Sequence, residues 1–484
     1  MTIITGSQRA PRITGIDMMR GYYAGMGDDP CLFGAEIEFA LCRQNDLMPP
    51  SSSENKALFS AMEKEGWGIR HEPPTSAIEI ATPAFALNDL KALMSHVNQG
   101  TQTLFQQAVD HGFMLSPYGQ FPHIPLDALQ VVNLERYQTF FAPPRDDMTE
   151  VFRFFNSCMN IQISLGYRDP DHLLRIIRMA TALEPVMFLS FDSSCGYTEG
   201  HKINHIHNIA QKVKMGVNTG IPDFYYTAKN GAEFVDAHID YTLNHPHVFA
   251  AFNDEGHLKK LPLGQWRSFS ELEAQGLGPQ NMTNYLQAQS ESWRRACNVA
   301  TIVNDAGEVV NHRAEICAFQ NGLLHQRTSA IILGYLIGYD DAFYAQTAEL
   351  LKRFGIDLEN MSASKALMEA NFNAACYHDN HYHEVAFGHA SMKDFVSEFA
   401  DLIEAAADRH GVHADIQALL HIMRAGRPDW LVYRTEMPSL EDTVQYLRNF
   451  PKMVADNPDM IGGNICADQL FTSGKMQSKS LVSK

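Results

Sequence analysis

The chain has 484 residues, with 38 Lys and Arg against 56 Asp and Glu, so its formal charge is −18. An apolar content of 45% with 10% aromatics excludes a chain disordered throughout, and the acidic balance argues against a general nucleic-acid binder, which needs a basic face to displace counterions. Eight cysteines without a CxxC pair, no apolar run near the roughly 18 residues of a membrane span, and no apolar leader in MTIITGSQRAPRITG lead us to expect reduced thiols, no membrane and a cytoplasmic protein.

In chain order, residues 1–28 read as a loose arm. CLFGAEIEFALC (31–42) alternates, which predicts a strand with Glu36 and Glu38 on one face. A helix is expected over 55–66 and a second strand over 77–85. A long amphipathic helix over 87–112 should stop at Gly112. SPYGQFPHIP (116–125) is a loop, 159–166 a strand and 169–188 a helix opened by Pro170. A loop is expected over 191–202 and a hairpin over 304–319. Beyond 325 the patterns are helical, including a GYLIG stretch (334–338) read as helix packing. The organisation expected is an arm (1–28), an α+β catalytic domain (29–325), a helical region (326–455) and a polar tail (456–484).

Glu36, Glu38, Glu79 and Glu315 all fall in strand-like segments with apolar neighbours. A carboxylate inside a sheet is costly unless it is paired or binds a metal. Glu36 and Glu38 would repel each other, and a divalent cation between them is the simplest relief. Hard oxygen ligands suit Mg²⁺, or Mn²⁺. The alternative for any one acid is a wet strand face.

These segments resemble the glutamate–cysteine ligase type 2 family of ATP-dependent carboxylate–amine ligases. FGAEIEF is similar to its first acidic strand, and RHEPPTSAIEIATP to its second. LERYQ (134–138), NSCMNIQISLGYRDPD (156–171), 182–202 and 233–249 resemble later segments. HRAEICAF (312–319) resembles its last acidic strand. The resemblance implies a glutamine-synthetase-like antiparallel catalytic sheet with flanking helices and a helical C-terminal region. It implies ATP and Mg²⁺ as cofactors, and small-molecule carboxylate and amine substrates joined through an acyl phosphate. Carried over by position, Glu36, Glu38, Glu79 and Glu315 would hold metal. Asn160 and Gln162 would face substrate or metal, and Arg136 would meet phosphate or a carboxylate.

The pattern also departs from the family. Cys317 stands where the last strand has an Arg, and Arg313, two residues earlier on the same face, is the expected substitute. His205 and His207 replace another Arg and are read as substrate- or nucleotide-binding, as is Cys317; Asn218 replaces a third Arg. Neutral side chains cannot grip carboxylate or phosphate bidentately. The expectation is an altered substrate. The alternatives are a regulatory, ligand-binding relative, or a metal enzyme using His378, His381, His383, Glu384 and His389. No dinucleotide-binding glycine motif, P-loop or GxSxG is present. The helical region is the expected surface for self-association.

Overall fold

The computed structural model describes residues 10–142, 148–203, 220–261, 265–292, 294–304, 308–377, 382–461 and 463–472. Its centre is an eight-stranded antiparallel sheet. The strands are β1 (Leu32–Arg43), β2 (Ile69–His71), β3 (Ala77–Ala81), β4 (Phe85–Ala86), β5 (Phe113–Leu115), β6 (Asn160–Leu165), β7 (Cys297–Val303) and β8 (Val309–Gln320). The order is β7-β8-β6-β1-β3-β2, with β4 and β5 pairing the two ends of β1. This is the α+β antiparallel architecture expected from the sequence.

The sheet has two unlike faces because side chains alternate along each strand. Ile37, Phe39, Ile161, Ile163, Leu165 and Ile316 are buried. Their face packs on the helices Pro170–Phe191 and Gln326–Tyr339. Gly334 explains the close approach of the second helix: a Cβ there would lie 2.7 Å from Cγ2 of Ile163. The 334–338 glycines therefore pack a helix onto the sheet, as read. The other face carries the acids.

Local signals set the helix ends. Ser51 and Glu54 form a capping box before Ser52–Lys64. The Asp169 side chain accepts from His172 N–H, with Pro170 in the first turn. The Leu90–Asp110 helix ends before Gly112, whose φ is 78°.

Several segments differ from expectation. The arm is not loose over its described part: it carries the short helix Ile16–Arg20, and Met19 and Tyr23 are fully buried. The 77–85 strand breaks at Pro83, which has no N–H to donate, and resumes as β4. The 191–202 loop contains a small hairpin, Tyr197–Thr198 with His201–Lys202. The tail also carries packed structure up to Thr472, including the helix Ala467–Thr472 with Ala467 and Leu470 buried. One apolar core cluster runs from Ile13 to Leu470 and includes residues on both sides of position 325. Among the described residues, no helix is long and apolar enough to cross a membrane.

Candidate functional site

Strand register builds the site. Glu36 sits opposite Gln162, and Glu38 opposite Glu79. Arg70 faces Glu79 from β2, and Glu315 faces Ser164 and Asn298. Residues directly opposite share a face. One surface therefore carries Arg70, Glu79, Glu38, Glu36, Gln162, Ser164, Arg313, Glu315 and Cys317. All four acids named from the sequence lie on it.

They do not form one uniform cluster. Glu38, Glu72 and Glu79 bring a carboxylate oxygen each within 4.8 Å of one another, and all three are buried. Glu38 accepts from the Asn160 backbone N–H at 2.9 Å and from Gln162 Nε2 at 2.7 Å. Burial, with Glu79 nearby, pushes the Glu38 carboxyl up to about 8. Burial also raises Glu79 and Glu72, the latter further through Glu38 and Glu79. Closely spaced buried carboxylates of this kind cannot all stay ionised unless protons or a cation offset their charge.

Glu36 has another environment. Its Oε1 accepts from Arg70 Nη1 at 2.7 Å and from Arg313 Nη1 at 3.1 Å. Burial alone would raise its carboxyl, but the guanidiniums of Arg313 and Arg70 help hold it well below the usual range. Arg313 Nη2 also meets Glu315 Oε1 at 2.9 Å. On the Glu36 side, the guanidiniums of Arg70 and Arg313 offset the repulsion expected between Glu36 and Glu38.

A pocket opens over this face. Its sheet wall includes Glu38, Asn160, Gln162, Asn298, Arg313, Glu315 and Cys317. The opposite wall carries Phe154, Phe155, Leu286, Gln289 and Ser290, and Glu72 and Arg294 also line it. Asn298 Nδ2 donates to Cys317 Sγ at 3.1 Å. Arg294 Nη1 donates to Gly220 O at 3.1 Å, with its guanidinium 4.7 Å from the Tyr241 ring centre.

Arg136 lies beside this pocket, in a small aromatic recess with Phe140, Phe249 and Glu291, and its Nη2 meets Ser290 Oγ at 3.3 Å. His205, His207 and Asn218 lie outside the described residues, as do His378 and His381. His383 and His389 do not line the pocket; His383 Nε2 bonds to Met423 O at 2.9 Å.

Sequence reasoning missed Glu72, Arg70, Arg294 and Asn298. Glu72 was within reach, inside the quoted RHEPPTSAIEIATP segment. It sits in the turn after β2, where no alternation marks it.

Residues 32–201 match the sequence model of glutamate-cysteine ligase family 2. The resemblance read from the motifs is shown over that stretch. No curated protein matches the chain. Among solved structures, a glutamate–cysteine ligase from Francisella tularensis, in complex with AMP, aligns over 95% of this chain and 94% of its own at 10% identity, with a TM-score of 0.52. A bifunctional glutathione synthetase from Pasteurella multocida aligns over 96% of this chain and 53% of its own at 10% identity, with a TM-score of 0.38. The chain thus matches that family model over residues 32–201 and shares its overall fold with the Francisella enzyme.

Proposed function

We propose that this chain is an ATP-dependent ligase that joins a small carboxylate to an amine through an acyl phosphate. The observation that carries the reading is the convergence of Glu38, Glu72 and Glu79, the first two of which line a pocket together with Arg313 and Arg294. Acids at one end and guanidiniums on the walls suit a substrate rich in phosphate charge. The matched family segment spans the acids of β1 and β3 together with Glu72 and Gln162. The Francisella likeness supports the fold, and the AMP bound to that enzyme is in keeping with a nucleotide substrate here.

The donor set fits a hard cation, Mg²⁺ or Mn²⁺, held by Glu38, Glu72 and Glu79. Such an ion neutralises phosphate charge and aligns the transfer. The rest of the reading concerns the chain's own side chains. Asn160 N–H and Gln162 fix the Glu38 carboxylate. Arg313, clamped by Glu36 and Glu315, presents a guanidinium of fixed orientation to the phosphoryl group leaving ATP. Phe154, Phe155 and Leu286 make an apolar wall against which a flat base can lie. Arg136 braces the neighbouring recess through Ser290 and acts as a positioning residue.

The γ-phosphoryl group passes from ATP to a substrate carboxylate oxygen and ADP leaves. The amine nitrogen then attacks the acyl carbon, the C–O bond to phosphate breaks, and the amine proton passes to solvent or a pocket base. The products are an amide, ADP and phosphate. At the place of Cys317 the resemblance expects an Arg. The neutral Asn298–Cys317 pair there favours a carboxylate substrate other than glutamate.

The test is a screen of purified protein with Mg·ATP against pairs of amino acids and small amines, reading phosphate release and product mass. An amide formed with one phosphate per bond supports the reading. Folded protein that releases no phosphate with any pair, and binds no nucleotide by calorimetry, overturns it.

A further inference from the structure

We infer that Arg70 and Arg313 take the place of metal ions around Glu36 and Glu315, so that the site takes a single divalent cation, on Glu38, Glu72 and Glu79. This rests on the ligase reading of the same pocket but departs from the ligand set the resemblance implies, in which Glu36 and Glu315 would also hold metal.

Arg313 lies on β8, two strands from β1, with β6 between them. Its Nη1 reaches Glu36 Oε1 at 3.1 Å and Ser164 Oγ at 3.3 Å, while Nη2 reaches Glu315 Oε1 at 2.9 Å. The short side chain of Ser164 on β6 leaves room for this bridge. Arg70 closes on Glu36 from the other side at 2.7 Å and lies 3.5 Å from Glu79. Glu36 Oε1 therefore faces two cations that belong to the chain itself.

A metal ion bound by Glu36 and Glu315 would have to displace Arg313. The Arg313 side chain is only 9% exposed. A guanidinium cannot vacate its place by losing a proton. Pushing it aside would leave a buried cation without its two carboxylates, the costly way to break a buried pair. The two guanidiniums balance the charge of Glu36 and Glu315, and the remaining negative charge of the constellation is centred on Glu38, Glu72 and Glu79. Those three carboxylates already lie within 4.8 Å of one another.

The experiment is Mn²⁺ titration of the full-length protein without nucleotide, read by electron paramagnetic resonance of free Mn²⁺. We expect one Mn²⁺ per chain. Glu79→Gln should weaken binding by at least about 100-fold, and Glu315→Gln should keep it within about threefold. Arg313→Met should open a second site. Should Arg313→Met fail to fold, the wild-type count and the near-isosteric Glu315→Gln decide the matter. Two or more ions per wild-type chain, none at millimolar Mn²⁺, or loss of binding in Glu315→Gln overturns the inference. The ligase reading fails separately: one Mn²⁺ per chain with no ATP turnover for any substrate pair would leave the stoichiometry standing and remove the reaction.

Discussion

Arg313 and Glu36 meet at 3.1 Å although 277 residues separate them, and both side chains are more than nine-tenths buried. The pair ties the last long strand of the sheet to the first. Removing one partner of such a pair leaves the other buried with less compensation, at a cost of about 3 kcal/mol. Arg313→Met should therefore lower the thermal midpoint by several degrees, measured by circular dichroism in a metal-free buffer. Glu315→Gln should lower it less, because an amide oxygen still accepts from the guanidinium.

Glu72 separates the structural reading of the acids from the sequence reading. It lies in an irregular turn, yet it converges with Glu38 and Glu79. Glu72→Gln should reduce ATP-dependent phosphate release by at least about 100-fold with a normal circular dichroism spectrum, since even residues that only orient a metal ligand cost 10–100-fold. Near-normal turnover would remove Glu72 from the site.

Away from that triad, Glu291 and Asp429 give the protein a pH signature. Burial pushes Glu291 up to about 8, although Gln287 Nε2 and the Phe249 N–H donate to it. Burial likewise takes Asp429 up to about 7. In each case the folded state holds a proton that the unfolded chain has released above an ordinary carboxyl pKa. Stability therefore falls as pH rises from about 4.5 to about 8, by up to about 1.4 kcal/mol per pH unit for each group. Denaturation series across this range should show the slope, and Glu291→Gln should flatten its upper part.

All eight cysteines are buried and free. Burial raises the thiols of Cys42, Cys195 and Cys376, which further suppresses thiolate. A thiol reagent should titrate less than one group in the native protein and eight in denaturant. Fewer than eight after denaturation would mean a disulfide that the structure does not contain.

The acidic strands were legible because their signal is local. Glu36, Glu38, Glu79 and Glu315 each sit in an alternating run, and alternation alone sets their face. That Arg313 shares the face of Glu315 followed from the same two-residue spacing, whereas their ion pair came only with the structure. What alternation cannot give is register. Arg70 reaches Glu36 only because β2 and β1 both pair with β3, a fact of strand order that no window of sequence contains. The partner strand β7 went unassigned, and with it Asn298. Glu72 and Arg294 lie outside the strands, where only the closed fold brings them to the pocket. The packed residues of the expected arm and tail were missed for a related reason. Tyr23 is buried through its hydroxyl contact with Tyr285 at 2.8 Å, a long-range event in a segment of weak periodicity.

The most direct measurement follows an oxygen atom. A carboxylate substrate from the screen, labelled with ¹⁸O in its carboxyl group, is turned over with Mg·ATP and an amine, and the released phosphate is analysed by mass. Transfer through an acyl phosphate predicts one ¹⁸O in each phosphate released, with ADP as the other product. Unlabelled phosphate, or label appearing in AMP with release of pyrophosphate, would contradict the account.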